Sequence, residues 1–133
     1  LILDEATSGL DPVVRDEILD EFLSFIQDES HAILISSHIT SDLEKAADYV
    51  TFLHQGRVVL QGAKDELLDT YGKLTCALER VDRSLLAGVR TNQFGCEALV
   101  KDRAVFRRAY PDLAVDPVSL EEIMVFTVKG ESR

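Results

Sequence analysis

Three side chains in the first third of this sequence have the types and spacing for acid–base or metal chemistry. Asp4 and Glu5 close an apolar stub, Leu1-Ile2-Leu3, and His38 follows the apolar run Ala32–Ile35 after two serines. An acid pair at the carboxyl end of a strand lies where open α/β sheets place their ligands. Adjacent strand residues point to opposite faces, so the two carboxylates can hold different jobs. One can bind Mg²⁺, directly or through water, while the other orients an attacking water. A solvated turn is the simpler alternative for two acids after three apolar residues. The neighbours weigh against it, because Ser8-Gly9-Leu10-Asp11 follows at once. Successive parallel strands also bring their carboxyl ends to one edge, which carries His38 toward the acid pair. An imidazole placed there can touch a terminal phosphate.

The elements needed to position these groups can be read nearby. Asp11 is a good N-cap and Pro12 fits the first turn of a helix, since its missing N–H costs nothing there. Val14, Ile18, Leu19, Phe22, Leu23 and Ile26 recur at helical spacing to about Gln27. Ala32–Ile35 reads as a strand buried on both faces. Thr40 or Ser41 can cap a second helix running through Ala47, with Leu43, Ala46 and Ala47 facing inward. Tyr49–His54 and Arg57–Gln61 read as strands joined at Gln55-Gly56. Ala63–Tyr71 is then a short acidic helix with Gly72 as its C′ residue. Strand, helix, strand, helix, strand predicts a sheet with crossovers, parallel at its start.

Composition narrows the function classes. A chain of 133 residues with 46% hydrophobic and 29% charged residues is ordinary for a globular domain. The formal charge of -10 argues against nucleic acid as a ligand. No apolar run approaches the roughly 20 residues of a membrane span, and acids follow Leu1–Leu3 too soon for a signal peptide. Cys76 and Cys96 form no disulfide framework and fit reduced core thiols of a cytosolic protein. Two thiols twenty residues apart without companion histidines make a poor metal site.

The charge is uneven. Residues 1–72 hold 4 Lys/Arg against 15 Asp/Glu, and residues 73–133 hold 10 against 9. The shift at Tyr71-Gly72-Lys73 predicts a boundary between an α/β part, 1–72, and a small α+β part, 73–133. In the second part Lys73–Glu79 alternates as a strand, with Leu74, Cys76 and Leu78 on one face. Asp82–Ala87 reads as a short helix ending at Gly88. Strands are expected near Val89–Phe94 and Cys96–Lys101, a helix over Arg103–Tyr110 ended by Pro111, and a further strand in Asp112–Pro117. Ser119-Leu-Glu-Glu122 is a capping box opening a final helix with Ile123, Phe126 and Thr127 on its apolar face. Arg103, Arg107 and Arg108 read as a solvated helix face, with a partner patch as the alternative. Phe94 and Phe106 read as core.

Together the motifs resemble the ATPase subunits of ABC transporters. Leu1-Ile2-Leu3-Asp4-Glu5 is similar to a Walker B strand, Ser8-Gly9-Leu10-Asp11 to a D-loop, and Ser36-Ser37-His38 to a switch-histidine segment. Ala6 departs from the proline common in the family, which alters turn stiffness and removes no functional group. The resemblance implies a partial P-loop NTPase core sheet with helices over 1–72. It also implies a role for each matching residue. Asp4 would hold Mg²⁺ through a water, Glu5 would act as general base, and His38 would touch the γ-phosphate of ATP. Ser8 and Asp11 would lie where two nucleotide-binding domains meet. The ending Ser119–Glu131 resembles the tail of family members whose permease is a separate subunit of the ABC-2 exporter type.

No G-x-x-x-x-G-K-[ST] loop, Gln loop or S-G-G-Q signature occurs in the sequence. The family carries all of these before its Walker B strand. The resemblance therefore implies the C-terminal portion of an ATPase, with ATP and Mg²⁺ used by the parent. The 133 residues alone are expected to be inactive, and unpaired sheet edges to favour self-association. Expected partners are a second nucleotide-binding domain and a membrane permease, at the cytoplasmic face of the cell membrane. The alternatives are a non-transport ABC ATPase and a stand-alone module with an interaction or regulatory role.

Overall fold

The computed structural model describes residues 1–75, 78–93 and 95–129. The chain is mixed helix and strand, and it divides into two compact units, Leu1–Asp48 and Tyr49–Arg133. The charge shift at Tyr71-Gly72-Lys73 falls inside the second unit.

In the first unit, β1 (Ile2–Asp4) runs parallel to β2 (Leu34–Ser36), with Ile2 opposite Leu34, Leu3 opposite Ile35 and Asp4 opposite Ser36. The connection between them holds α1 (Pro12–Phe25). Asp11 caps α1 through Oδ1, which accepts from Val13 N at 2.9 Å and Val14 N at 3.2 Å. The second helix, α2, spans Thr40–Ala46. Neither Thr40 nor Ser41 caps it. Its N-cap is Ile39, which offers no side-chain cap and whose own N–H donates to Ser37 Oγ at 3.0 Å.

The strands are also less buried than their apolar sequences predict. Leu34 is 68% and Ile2 79% exposed, whereas Leu3 and Ile35 are half-buried. β1 and β2 pair only with each other, so the face bearing Ile2 and Leu34 has no layer over it among the described residues. Leu19 on α1 is the one buried apolar side chain described in this unit.

The second unit opens with an antiparallel hairpin, β3 (Tyr49–His54) and β4 (Arg57–Ala63). Gln55 and Gly56 have φ of 50° and 76°, the double positive φ of a type I′ turn. Next come α3 (Lys64–Thr70) and a three-stranded antiparallel sheet ordered β5-β7-β6, with β5 Gly72–Leu74, β6 Leu86–Asn92 and β7 Gly95–Val100. Gly72 is not a left-handed cap. It belongs to β5, and a Cβ there would stand 2.3 Å from Val115 Cγ1 and 2.6 Å from Arg103 Cγ. Close packing, rather than turn geometry, explains its lack of a side chain.

β7 alternates as a strand between two cores must. Ala98 and Val100 join Leu74, Leu86 and Phe106 on one face. Leu99 joins Val118, Ile123 and Phe126 on the other, with Leu60, Leu67 and Tyr71 packed against them. Phe106 lies on α4 (Arg103–Ala109), and Ile123 and Phe126 on α5 (Leu120–Lys129).

Three sequence expectations change here. The strand expected over Lys73–Glu79 stops at Leu74, and Leu78–Arg80 is a 3₁₀ turn; Cys76 lies outside the described residues. The expected helix at Asp82 is a 3₁₀ turn over Arg83–Leu85, after which Leu86 enters β6. Asp112–Pro117 contributes one bridge, Asp116 to Lys73, rather than a strand. Phe94 also lies outside the described residues. Among the described residues no helix is long and apolar enough to cross a membrane.

Candidate functional site

β1 and β2 are parallel, so their carboxyl ends share one edge, and the candidate groups gather there. The Glu5 amide extends the ladder by donating to Ser36 O at 2.9 Å. Ser36 Oγ donates to Asp4 Oδ1 in a short hydrogen bond. Asp4 thus has one oxygen tied to β2 while the residue stays exposed to solvent.

Glu5 takes φ of 51°, a left-handed conformation rare for a residue with a side chain. The turn is closed behind it by Ser8 N donating to Glu5 O at 3.1 Å. Its Oε2 lies 2.9 Å from His38 Nδ1. That oxygen is shielded from solvent, yet no N–H or O–H among the described residues points at it with hydrogen-bond geometry. The ring and the carboxylate are close but not aligned for a hydrogen bond. The His38 ring is 75% exposed.

Asp4, Glu5 and His38 therefore come together. Ser8 and Asp11 lie further along the same turn, both exposed, with Asp11 Oδ1 engaged in capping α1. No group of three or more His, Cys, Asp or Glu able to hold a metal forms among the described residues. The donors present at the strand ends are carboxylate and hydroxyl oxygens. They suit a hard cation that keeps most of its water, the habit of Mg²⁺, rather than a cation caged by protein.

Residues not singled out from the sequence are buried in the same segments. Thr7 is 1% and Asp42 3% exposed. Thr7 Oγ1 donates to Asp42 Oδ2 at 2.6 Å, and Arg15 Nε lies 3.0 Å from Asp42 Oδ1. Asp42 reads from sequence as one more acid in the first turn of a helix, a favourable place for it against the helix dipole. Only the fold sets it against Thr7, 35 residues away.

Curated proteins share this sequence over about half its length. The lantibiotic transport ATP-binding protein SrtF of Streptococcus pyogenes is 43% identical over 65 residues, 49% of this chain and 28% of its own. The energy-coupling factor transporter ATP-binding protein EcfA2 of Clostridium acetobutylicum is 38% identical over 84 residues, 61% of this chain and 29% of its own. The ABC transporter ATP-binding protein YhcH of Bacillus subtilis is 39% identical over 70 residues, 52% and 23% respectively. These homologues are ABC transporter ATP-binding proteins. The chain spans under a third of the length of each. No family model matches the chain. The resemblance to ABC ATPases carried by Asp4-Glu5, Ser8–Asp11 and Ser36–His38 agrees with this similarity.

Proposed function

We propose that this chain is the portion of an ABC-type ATPase subunit that carries the general base and the phosphate-sensing histidine, within a partial P-loop NTPase core. The subunit powers transport across the cytoplasmic membrane. The observation that best supports this is the 2.9 Å approach of His38 Nδ1 to Glu5 Oε2 across the ends of two parallel strands.

Phosphoryl transfer asks little covalent chemistry of a protein. Positioning and charge neutralisation carry it. The Glu5 carboxylate, whose side chain is 37% exposed, takes a proton from the attacking water and orients its oxygen toward phosphorus. His38 donates from its ring to the terminal phosphate and loses that partner after cleavage. Asp4, steadied by Ser36, would hold Mg²⁺ through a water. Bound Mg²⁺ supplies neutralisation of the phosphate charge. Ser8 and Asp11 face a second nucleotide-binding domain, and the subunit docks on a membrane permease at the cytoplasmic face.

Acids alone repel a triphosphate, and the phosphate cradle of backbone N–H groups and a lysine is no part of these 133 residues. The chain by itself is therefore inactive, and activity belongs to the subunit that includes the cradle. In that subunit Glu5→Gln lowers turnover by about 10²- to 10⁴-fold while nucleotide affinity holds. Equal loss of binding and turnover contradicts the base assignment. ATP turnover by the 133-residue chain above that of an Asp4→Asn/Glu5→Gln double variant contradicts the inactivity.

A further inference from the structure

Asp42 has both carboxylate oxygens occupied, each by a different segment. Oδ2 takes the Thr7 hydroxyl and Oδ1 the Arg15 guanidinium, and the side chain is 4% exposed. Thr7 is two residues from Glu5, inside the turn that Ser8 N closes on Glu5 O. Arg15 is on the first turn of α1, four residues past the Asp11 cap. Asp42 itself is four residues past His38, with its N–H donating to Ile39 O at 3.1 Å. One buried carboxylate thus ties together the turn bearing Glu5, the helix after Asp11 and the segment bearing His38.

We propose that Asp42 is a positioning residue that holds Glu5 against His38, acting through Thr7. The catalytic consequence rests on the proposed ATPase function; the geometric one does not. A buried charge with two partners has no tolerable alternative arrangement nearby, because losing either leaves a desolvated donor or acceptor unpaired. That rigidity suits a link between two groups whose separation matters. The Glu5 and His38 side chains are themselves 37% and 75% exposed and make no aligned hydrogen bond to each other. Their approach is set from below.

The test has two arms. In the 133-residue chain, the ring signal of His38 is followed by NMR. Glu5→Gln shifts it in the wild-type background, and the response is lost in Asp42→Ala and in Thr7→Val, whereas Thr7→Ser preserves it. Thr7→Val exchanges the hydroxyl for a methyl of similar volume and leaves the Asp42–Arg15 pair in place, so it reports even where Asp42→Ala fails to fold. An undiminished response in Thr7→Val overturns the proposal.

In the complete ATPase subunit, Thr7→Val and Asp42→Asn lower kcat by about 10- to 100-fold. The KM for ATP is unchanged, and Thr7→Ser restores the rate. KM and kcat worsening together, with no rescue by serine, reduces Asp42 to a structural residue. A wild-type subunit without turnover, or an unaffected Glu5→Gln, removes the ATPase reading and leaves the NMR arm to decide the geometry.

Discussion

At the scale of single residues, the acids and histidine differ sharply from the side chains that hold them. Glu5 and His38 are solvent-accessible, whereas Thr7 and Asp42 are buried and fully engaged. The exposed pair was legible in sequence because strand ends advertise themselves. The buried pair was not, since nothing in the local sequence records a contact across 35 positions. Replacing His38 by alanine in the complete subunit should lower turnover by about a hundredfold, with melting temperature unchanged because the ring is exposed. Wild-type turnover would leave His38 without a part in the reaction. Gly72 poses the opposite problem, a residue whose role is entirely steric. Gly72→Ala forces its Cβ onto Val115 Cγ1 and Arg103 Cγ, an overpacking cost of about 1–3 kcal/mol. The melting temperature should fall, and adding Val115→Ala should recover part of it. Additive losses in the double variant would place the strain elsewhere.

At the scale of elements, capping signals held where a side chain closes on the helix's own first turn and failed at Thr40, Ser41 and Gly72. Asp11-Pro12 opens α1, and Ser119 with Glu122 opens α5, each as its residues predict. The two caps that held act within four residues, whereas Gly72 is set by packing against Val115 and Arg103, which no local signal records. The alternation in Lys73–Glu79 does not make one strand, because Leu74 and Leu78 enter one core from a strand and a 3₁₀ turn. Arg103 likewise is no bystander on a solvated face. Its guanidinium donates to the Asp69 and Leu68 carbonyls at the end of α3.

The α5 cap carries a pH prediction. Burial alone would raise the Glu122 carboxyl, but the Lys73 ammonium at 2.8 Å and the Ser119 N–H together hold it below its ordinary 4.5. A depressed carboxylate stabilises the fold above its unfolded value. That contribution is lost as the pH falls below 4.5 and through the folded value. Wild type should therefore lose stability on acidification more steeply than Glu122→Gln in this window, read by denaturant midpoints. Parallel curves would show that Glu122 does not contribute. Ser119→Ala should cost about 1 kcal/mol at neutral pH.

At the scale of the whole molecule, the two units are built to different densities. Phe106, Leu74, Leu99, Ile123 and Val100, the largest fully buried apolar side chains described, all belong to Tyr49–Arg133. In Leu1–Asp48 the deepest positions are polar, Thr7 and Asp42, and Leu19 alone is a buried apolar residue. Apolar burial sets how much free energy local opening requires. Candidate chemistry therefore sits on the thinner unit, where a single buried carboxylate organises the strand ends, while the denser unit holds its sheet between two apolar layers. Hydrogen exchange separates these regimes without any ligand. The amides of Leu99 and Val100 in β7 and of Phe126 in α5 should exchange at least about a hundredfold more slowly than those of Leu34 and Glu5. Thr7→Val should accelerate exchange at Glu5 and leave β7 untouched, because only the first unit depends on the Thr7–Asp42 bond. Equal protection across the chain would mean that apolar burial does not govern its opening, and an acceleration in β7 would mean that the bond stabilises more than the turn it closes.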